Sequence, residues 1–224
     1  MSRRLRDNGL SLFFGTIFLL ALVGQAIAGL ADHNNRQLAA GGDPVSIWQF
    51  VTSSSFAVDV AENWQSEYLQ FLLMIFATVW LVQRGSTESA ELDEVGTESD
   101  EEQKVGRHAD DDSPRWASAG GWRTGLYSTS LGLVMGLLFA GSWLAQSIAG
   151  RAAYNAEQLS DFEDPVSWAG YVTSADFWNR TFQNWQSEFL AVLSMVVLSV
   201  YLRQRGSAES KPVGAAHTAT GLDG

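Results

Sequence analysis

Residues 10–30 read LSLFFGTIFLLALVGQAIAGL, an apolar stretch that contains no charged side chain. The hydrocarbon core of a bilayer requires a helix of about 20 mostly apolar residues, which this stretch supplies. Residues 126–149 read LYSTSLGLVMGLLFAGSWLAQSIA and form a second stretch of the same kind. Two shorter apolar stretches, residues 68–82 and 189–202, are long enough once a turn is added at each end. The sequence therefore predicts four transmembrane helices.

The second half of the chain repeats the first without a gap. Gln25 returns as Gln146, and the segment DPVS at residues 43–46 returns at residues 164–167. The segments NWQSE and QRGS, which begin at Asn63 and Gln83, return at Asn184 and Gln204. Every pair lies 121 positions apart. We interpret this regularity as the duplication of a two-helix unit that cannot bury its own helix faces alone.

The repeat also bears on the start of the chain. Arginines, an apolar run and the segment AIA at residues 26–28 together resemble a secretory signal peptide with its cleavage site. The second copy carries SIA at residues 147–149, in the middle of the chain, where a signal peptide cannot lie. We therefore expect the first span to be a retained helix.

Basic residues predict the orientation, because cytoplasmic loops are enriched in Lys and Arg close to the spans. The two hairpin loops contain only Arg36, Arg151 and Arg180. The termini and the segment between spans two and three contain the other cations: Arg3, Arg4, Arg6, Arg84, Lys104, Arg107, Arg115, Arg123, Arg203, Arg205 and Lys211. We expect both termini and residues 86–120 to be cytoplasmic, and loops 31–66 and 151–187 to be external.

These observations predict an all-α membrane protein of the cytoplasmic membrane, built from two helical hairpins as parallel repeats, with short helices at the outer interface. Residues 1–85 form the first hairpin and residues 121–207 the second. Residues 86–120 are acidic and poor in aromatic side chains, which predicts a disordered linker. Residues 208–224 are expected to be a disordered tail.

The outer loops contain helix signals as well as connecting residues. Asp43 and Pro44 suit the cap and first position of a short helix over residues 44–52, with Trp48 and Trp168 at headgroup depth. A long helix is expected from about Ser55 to Gln83 and, like its copy, to end at an Arg-Gly pair. Trp64 and Trp185 belong to aromatic stripes at a spacing of four residues. A packing stripe is favoured over a ligand cage.

Polar residues cluster where the second helix of each hairpin enters the outer leaflet. Unpaired polar groups are costly in hydrocarbon, so we expect them to face the bundle interior. In one interpretation, Gln25 bonds Asn63 or Glu67 and locks the hairpin. In the other, Glu67 and Glu188 line an entry site for a cation, a proton or a small polar solute. The candidate polar membrane site comprises Gln25, Asn63, Glu67, Gln146, Asn184 and Glu188.

Composition excludes several classes of function. The net charge of −11 argues against a nucleic-acid partner, since phosphate binding needs a basic surface. The chain has no cysteine, and its three histidines, His33, His108 and His217, lack metal-ligand spacing. We find no ordered Ser/His/Asp set and no phosphate-binding glycine loop. We expect no enzymatic activity, no metal and no cofactor.

The segments RDNGLSL, DPVS, NWQSE and QRGSTES/QRGSAES together resemble a family of small bacterial membrane proteins catalogued as a domain of unknown function. The second copy departs from this pattern at its start, where the residues around Gly125–Ser128 contain no counterpart of RDNG. The resemblance implies a membrane location and supplies no activity. We expect a non-enzymatic structural or accessory membrane component, surrounded by lipid. A homo-oligomer, a membrane-protein partner and, as the alternative function, a small transporter or channel remain open.

Overall fold

The computed structural model describes residues 7–91 and 94–221, and every regular element in these ranges is helical. Arg3, Arg4 and Arg6, on which part of the predicted orientation depends, lie outside the described residues. The helices are α1 (Gly9–Ala39), α2 (Ile47–Val51), α3 (Ser54–Trp80), α4 (Arg115–Ser118), α5 (Gly121–Ser128), α6 (Ser130–Ser160), α7 (Trp168–Val172) and α8 (Ala175–Tyr201), with a 3₁₀ turn at Gly106–His108.

The helices of the two halves have matching lengths and positions. Helices α1 and α6 contain 31 residues each, α2 and α7 contain 5 each, and α3 and α8 contain 27 each. The starts and ends of each pair lie 121 positions apart, which is the offset of the sequence repeat. Helices α1 and α6 are apolar and long enough to cross a membrane by length and composition.

The chain divides into two compact units. The first contains Met1–Ala61 and Ala145–Val172, and the second contains Glu62–Leu144 and Thr173–Gly224. Helices α3 and α6 each contribute residues to both units. The disorder expected of the acidic linker and the tail, and the boundaries of the two hairpins, stay predictions.

In the first unit, an asparagine near the end of each long apolar helix fixes the loop that follows. The Asn34 side chain donates to the Val45 carbonyl oxygen at 3.0 Å and accepts from the Val45 amide at 2.8 Å. Asn155 makes the same two bonds with Val166 at the same distances. Each asparagine carboxamide therefore bonds both the backbone amide and the backbone carbonyl of one loop valine, which has no helical hydrogen bonds.

The short helices α2 and α7 begin three residues later than the sequence predicts. Ser46, rather than Asp43, is the N-cap of α2, and it forms a capping box with Gln49. Ser167 accepts a bond from the Gly170 amide at the start of α7. The reason is the asparagine bond to the preceding valine, which holds the chain extended until the serine can cap.

The long helices α3 and α8 also end earlier than predicted, at Trp80 and Tyr201 rather than at the Arg-Gly pairs. The chain leaves α8 through Leu202 in an extended conformation. Gly85 and Gly206 then have φ angles of +89° and +80° inside turns that are closed by Ser86 N–H to Gln83 O and Ser207 N–H to Gln204 O. These glycines therefore serve as turn residues after the helix and not as its C-terminal cap.

The predicted span 126–149 is interrupted at Thr129, where α5 ends and α6 begins. Three consecutive hydroxyls bond back to carbonyl oxygens at this point: Ser128 and Thr129 to Gly125 O, and Ser130 to Tyr127 O. Such side-chain bonds to the preceding turn compete with the helical ladder and bend or end helices. The apolar helix therefore begins at Ser130 and continues to Ser160.

Removing the asparagine bonds tests their part in the fold. We expect Asn34→Ala and Asn155→Ala each to lower the free energy of unfolding by about 1–3 kcal/mol, because each leaves an amide and a carbonyl of a half-buried valine unpaired. Thermal unfolding in detergent measures the loss. The exposed neighbour Asn35 supplies the control, since Asn35→Ala is expected to have no comparable effect. Equal unfolding midpoints for Asn34→Ala and Asn35→Ala would contradict this role.

Candidate functional site

The NWQSE segment of α3 divides its polar residues between two faces of the helix. Gln65 and Ser66 are fully buried, whereas Asn63, Trp64 and Glu67 are exposed. Residues four apart share a helix face, so Asn63 and Glu67 turn outward together while Gln65 points the other way. The expectation that the whole cluster faces the interior is therefore wrong for Asn63 and Glu67, and Gln65 occupies the interior position.

The second copy is arranged differently. Asn184 and Glu188 are half-buried, while Gln186 and Ser187 are exposed. Asn184 donates from its side chain to the Arg180 carbonyl oxygen at 2.9 Å. Glu67 lies close enough to Glu188 for their like charges to interact. The two carboxylates of the candidate site therefore belong to one electrostatic environment in the second unit.

Gln65 is a fully buried polar group of this unit. Its Oε1 accepts a hydrogen bond from Trp185 Nε1 at 2.9 Å. Its Nε2 has no hydrogen-bond partner among the residues that the structure describes. The bond ties the first copy of the NWQSE segment to the tryptophan of the second. Nothing in the sequence distinguishes Gln65 from its neighbours, because the sequence does not show which face of the helix is buried.

An ion-pair network lies one turn away from this hydrogen bond. Arg180 contacts the Glu62 carboxylate through Nη1 at 3.3 Å and the Asp176 carboxylate through Nε at 3.3 Å. The Glu62 side chain is only 15% exposed. Sequence reasoning missed this group, although a lone arginine four residues after an aspartate at the start of a long helix is a usable signal. The network joins α3 to α8 in their N-terminal halves.

Aromatic rings surround Trp143 in the same unit. Its ring centroid lies 6.2 Å from that of Phe177, 6.1 Å from Trp178 and 5.9 Å from Trp185. The rings pack directly on one another at distances typical of aromatic pairs. This arrangement supports the packing interpretation of the stripe.

Four of the predicted site residues lie in the first unit: Gln25, Trp48, Gln146 and Trp168. Gln146 is fully buried and Gln25 is half-buried. Trp168 is 47% exposed and donates from Nε1 to Ser147 Oγ at 3.0 Å, while Trp48 is 77% exposed. The predicted bond from Gln25 to Asn63 or Glu67 joins residues of different units and stays a prediction.

The Gln65–Trp185 bond can be tested from both ends. We expect Trp185→Phe to lower the free energy of unfolding by about 1–3 kcal/mol, because it leaves the amide of a fully buried glutamine without its partner. Trp185→Phe/Gln65→Leu removes both polar groups and is expected to recover much of that loss. The control is Gln186→Leu, because Gln186 is the counterpart of Gln65 in the second copy and is exposed. If Gln65→Leu gives no recovery in the Trp185→Phe background, then the loss comes from packing and not from the hydrogen bond.

These features define an all-helical protein that contains two helices able to cross a membrane by length and composition. Among the described residues, no group of three His, Asp or Glu side chains could hold a metal ion. The chain belongs to the family described as Domain of unknown function (DUF6766), which matches residues 1–222. The predicted resemblance to a domain of unknown function is thus confirmed. No curated protein and no solved structure matches the chain.

Proposed function

We propose that this protein is a four-span integral protein of the cytoplasmic membrane with a structural or accessory role rather than a catalytic one. The observation that carries the proposal is the exposure of its most apolar helices. The most apolar 18-residue stretch of α1 has a mean hydropathy of 2.1 and contains no buried residue. The corresponding stretch of α6 has a mean hydropathy of 1.6, and 17% of its residues are buried. Soluble monomers seldom expose apolar patches above a few hundred Å². Lipid removes this surface from water.

Helices α3 and α8 support two further spans. Each contains 27 residues and is about 40 Å long, which exceeds the hydrocarbon thickness of about 30 Å. Their C-terminal halves expose large apolar side chains, among them Phe71, Phe76, Leu190 and Leu193. Their N-terminal halves contain the polar NWQSE segments, at the level where each helix enters the outer leaflet in the predicted orientation.

The contacts of the second unit support the structural role. Gln65 bonds Trp185, Glu62 pairs with Arg180, and Ser86 Oγ lies 3.1 Å from Ser199 Oγ. These bonds join α3 and its following turn to α8 at both ends. The polar groups of the NWQSE level thus hold helices together, which is what an accessory membrane component needs to present fixed surfaces to a partner.

The proximity of Glu67 to Glu188 favours one alternative, a small transporter or channel for a cation, a proton or a small polar solute. Flux through proteoliposomes separates the two functions. For a structural component, wild type and Glu67→Gln/Glu188→Gln both match protein-free liposomes in proton and potassium flux. Flux in the wild type that is lost in the double variant, with its unfolding midpoint unchanged, would overturn the structural role.

A further inference from the structure

A groove of about 340 Å³ lies in the second unit between the C-terminal halves of α3 and α8. Its walls are apolar and include Leu73 and Ala77 from α3 and Val192 from α8. Gln70 lies at one end, and Gln83 and Glu88 lie at the other. The groove therefore has an apolar middle and a polar end beyond the last turn of α3.

The length of the groove matches one leaflet of a bilayer. From Gln70 to the end of α3 at Trp80 the helix advances about 15 Å. The hydrocarbon core is about 30 Å thick, so the acyl layer of one leaflet spans about 15 Å. In the orientation proposed above, Gln83 and Glu88 lie at the headgroups of the cytoplasmic leaflet.

The volume is too small for the groove to enclose a helix. A helix with its side chains is about 10–12 Å across, so a 15 Å length of it fills more than about 1,000 Å³. A groove of about 340 Å³ is instead at the lower end of small-molecule pockets, which run from about 300 to 1,000 Å³. One extended hydrocarbon chain suits this narrow apolar wall better than a second copy of the protein.

The charges at the polar end indicate which headgroup fits. Glu88 lines the groove and is half-buried, and the cation Arg84, next to Gln83, is exposed. An amine-bearing zwitterionic phospholipid presents an ammonium group for the carboxylate and a phosphate for the guanidinium. A phosphatidylglycerol headgroup offers no cation to Glu88.

We propose that the groove binds one phospholipid of the cytoplasmic leaflet, with an acyl chain along Leu73, Ala77 and Val192 and a phosphatidylethanolamine headgroup at Glu88. The inference rests on the membrane location proposed above. Bound lipid fills the space between α3 and α8 where the protein supplies no side chain, and so completes the packing of these helices within the leaflet.

Native mass spectrometry of the full chain, purified in detergent and supplied with phosphatidylethanolamine or phosphatidylglycerol, tests the groove. We expect one phosphatidylethanolamine per chain, retained roughly fivefold better than phosphatidylglycerol, since one charge at the membrane surface contributes about 1 kcal/mol. Ala77→Trp fills the groove and abolishes this retention. Ala191→Trp, on an exposed position of α8 outside the groove lining, retains the lipid. Glu88→Gln removes the headgroup preference and is the test if Ala77→Trp fails to fold.

Unchanged lipid retention in folded Ala77→Trp, or no preference between the two lipids in wild type, would overturn the groove proposal. Flotation with vesicles of phosphatidylethanolamine and phosphatidylglycerol separates this failure from failure of the membrane location. A chain that does not float with the vesicles refutes the membrane location itself. A chain that floats and binds lipid equally in wild type and Ala77→Trp refutes the groove alone.

Discussion

Gly150→Ala is expected to lower the free energy of unfolding by about 1–3 kcal/mol, as inserting a methyl group into a tightly packed site does. A Cβ at Gly150 would overlap Tyr171 Oη and would lie 2.9 Å from two of its ring carbons. Tyr171 is completely buried and packs on Tyr154, with ring centroids 5.6 Å apart. The tyrosine therefore has little room to move, and this steric cost exceeds the helix propensity gained from alanine.

Gly141→Ala provides the matched control for this prediction, because it lies in the same helix and a Cβ there meets no atom within 4 Å. Alanine at this position is expected to raise stability by up to about 1 kcal/mol. Thermal unfolding midpoints in detergent should thus move in opposite directions for the two variants. Tyr171→Phe in the Gly150→Ala background removes the closest atom and should restore part of the loss. A Gly150→Ala midpoint equal to or above that of Gly141→Ala would contradict the close contact.

Lys211→Met is expected to release the C-terminal segment from the turn that follows α3. Lys211 is 1% exposed, and its Nζ donates to the carbonyl oxygens of Gly85, Ala219, His217 and Ala216 at 2.5, 3.0, 3.1 and 3.4 Å. Burial, and secondarily the Arg203 guanidinium, lower the pKa of the Lys211 ammonium. The four carbonyl oxygens oppose this effect because they favour the protonated form.

The loss from Lys211→Met should be about 1.5–3 kcal/mol, the contribution of hydrogen bonds to a charged group. Limited proteolysis with a C-terminal epitope tag measures release of the segment, and thermal unfolding measures the stability. The other lysine of the chain, Lys104, is the control, because its side chain is 65% exposed and pairs only at the surface of the linker. Equal proteolysis of the tail in Lys211→Met and Lys104→Met would show that Lys211 does not hold the segment.

The sequence was sufficient to predict the helical elements because apolar runs and the 121-residue offset are local, regular signals. Residues 10–30 and 130–149 lie in helices, and both short helices exist. The exact helix ends could not be predicted, since they depend on bonds between distant residues. Asn34 decides where α2 begins by bonding Val45, and the hydroxyls at 128–130 decide where α6 begins.

The candidate site was only partly predictable for a similar reason. The NWQSE segments were identified by their repetition, but repetition cannot show which face of a helix is buried. Gln65 faces the interior while its copy Gln186 is exposed, so identical segments have different environments. The Arg180 ion pairs depend on Glu62, which has no acidic counterpart in the second half. The positions at which the two halves differ, rather than those at which they agree, would have indicated these ion pairs.

Labelling of single cysteines tests the four-span topology most directly, because the chain has no cysteine of its own. Ala40→Cys and Asp161→Cys lie at corresponding exposed positions of the two hairpin loops, and Asp100→Cys lies in the acidic linker. With a membrane-impermeant maleimide on spheroplasts, we predict labelling at residues 40 and 161, and labelling at residue 100 only after the membrane is permeabilised. Labelling at residue 100 in intact spheroplasts, or labelling of only one of residues 40 and 161, would contradict two parallel hairpins in the membrane.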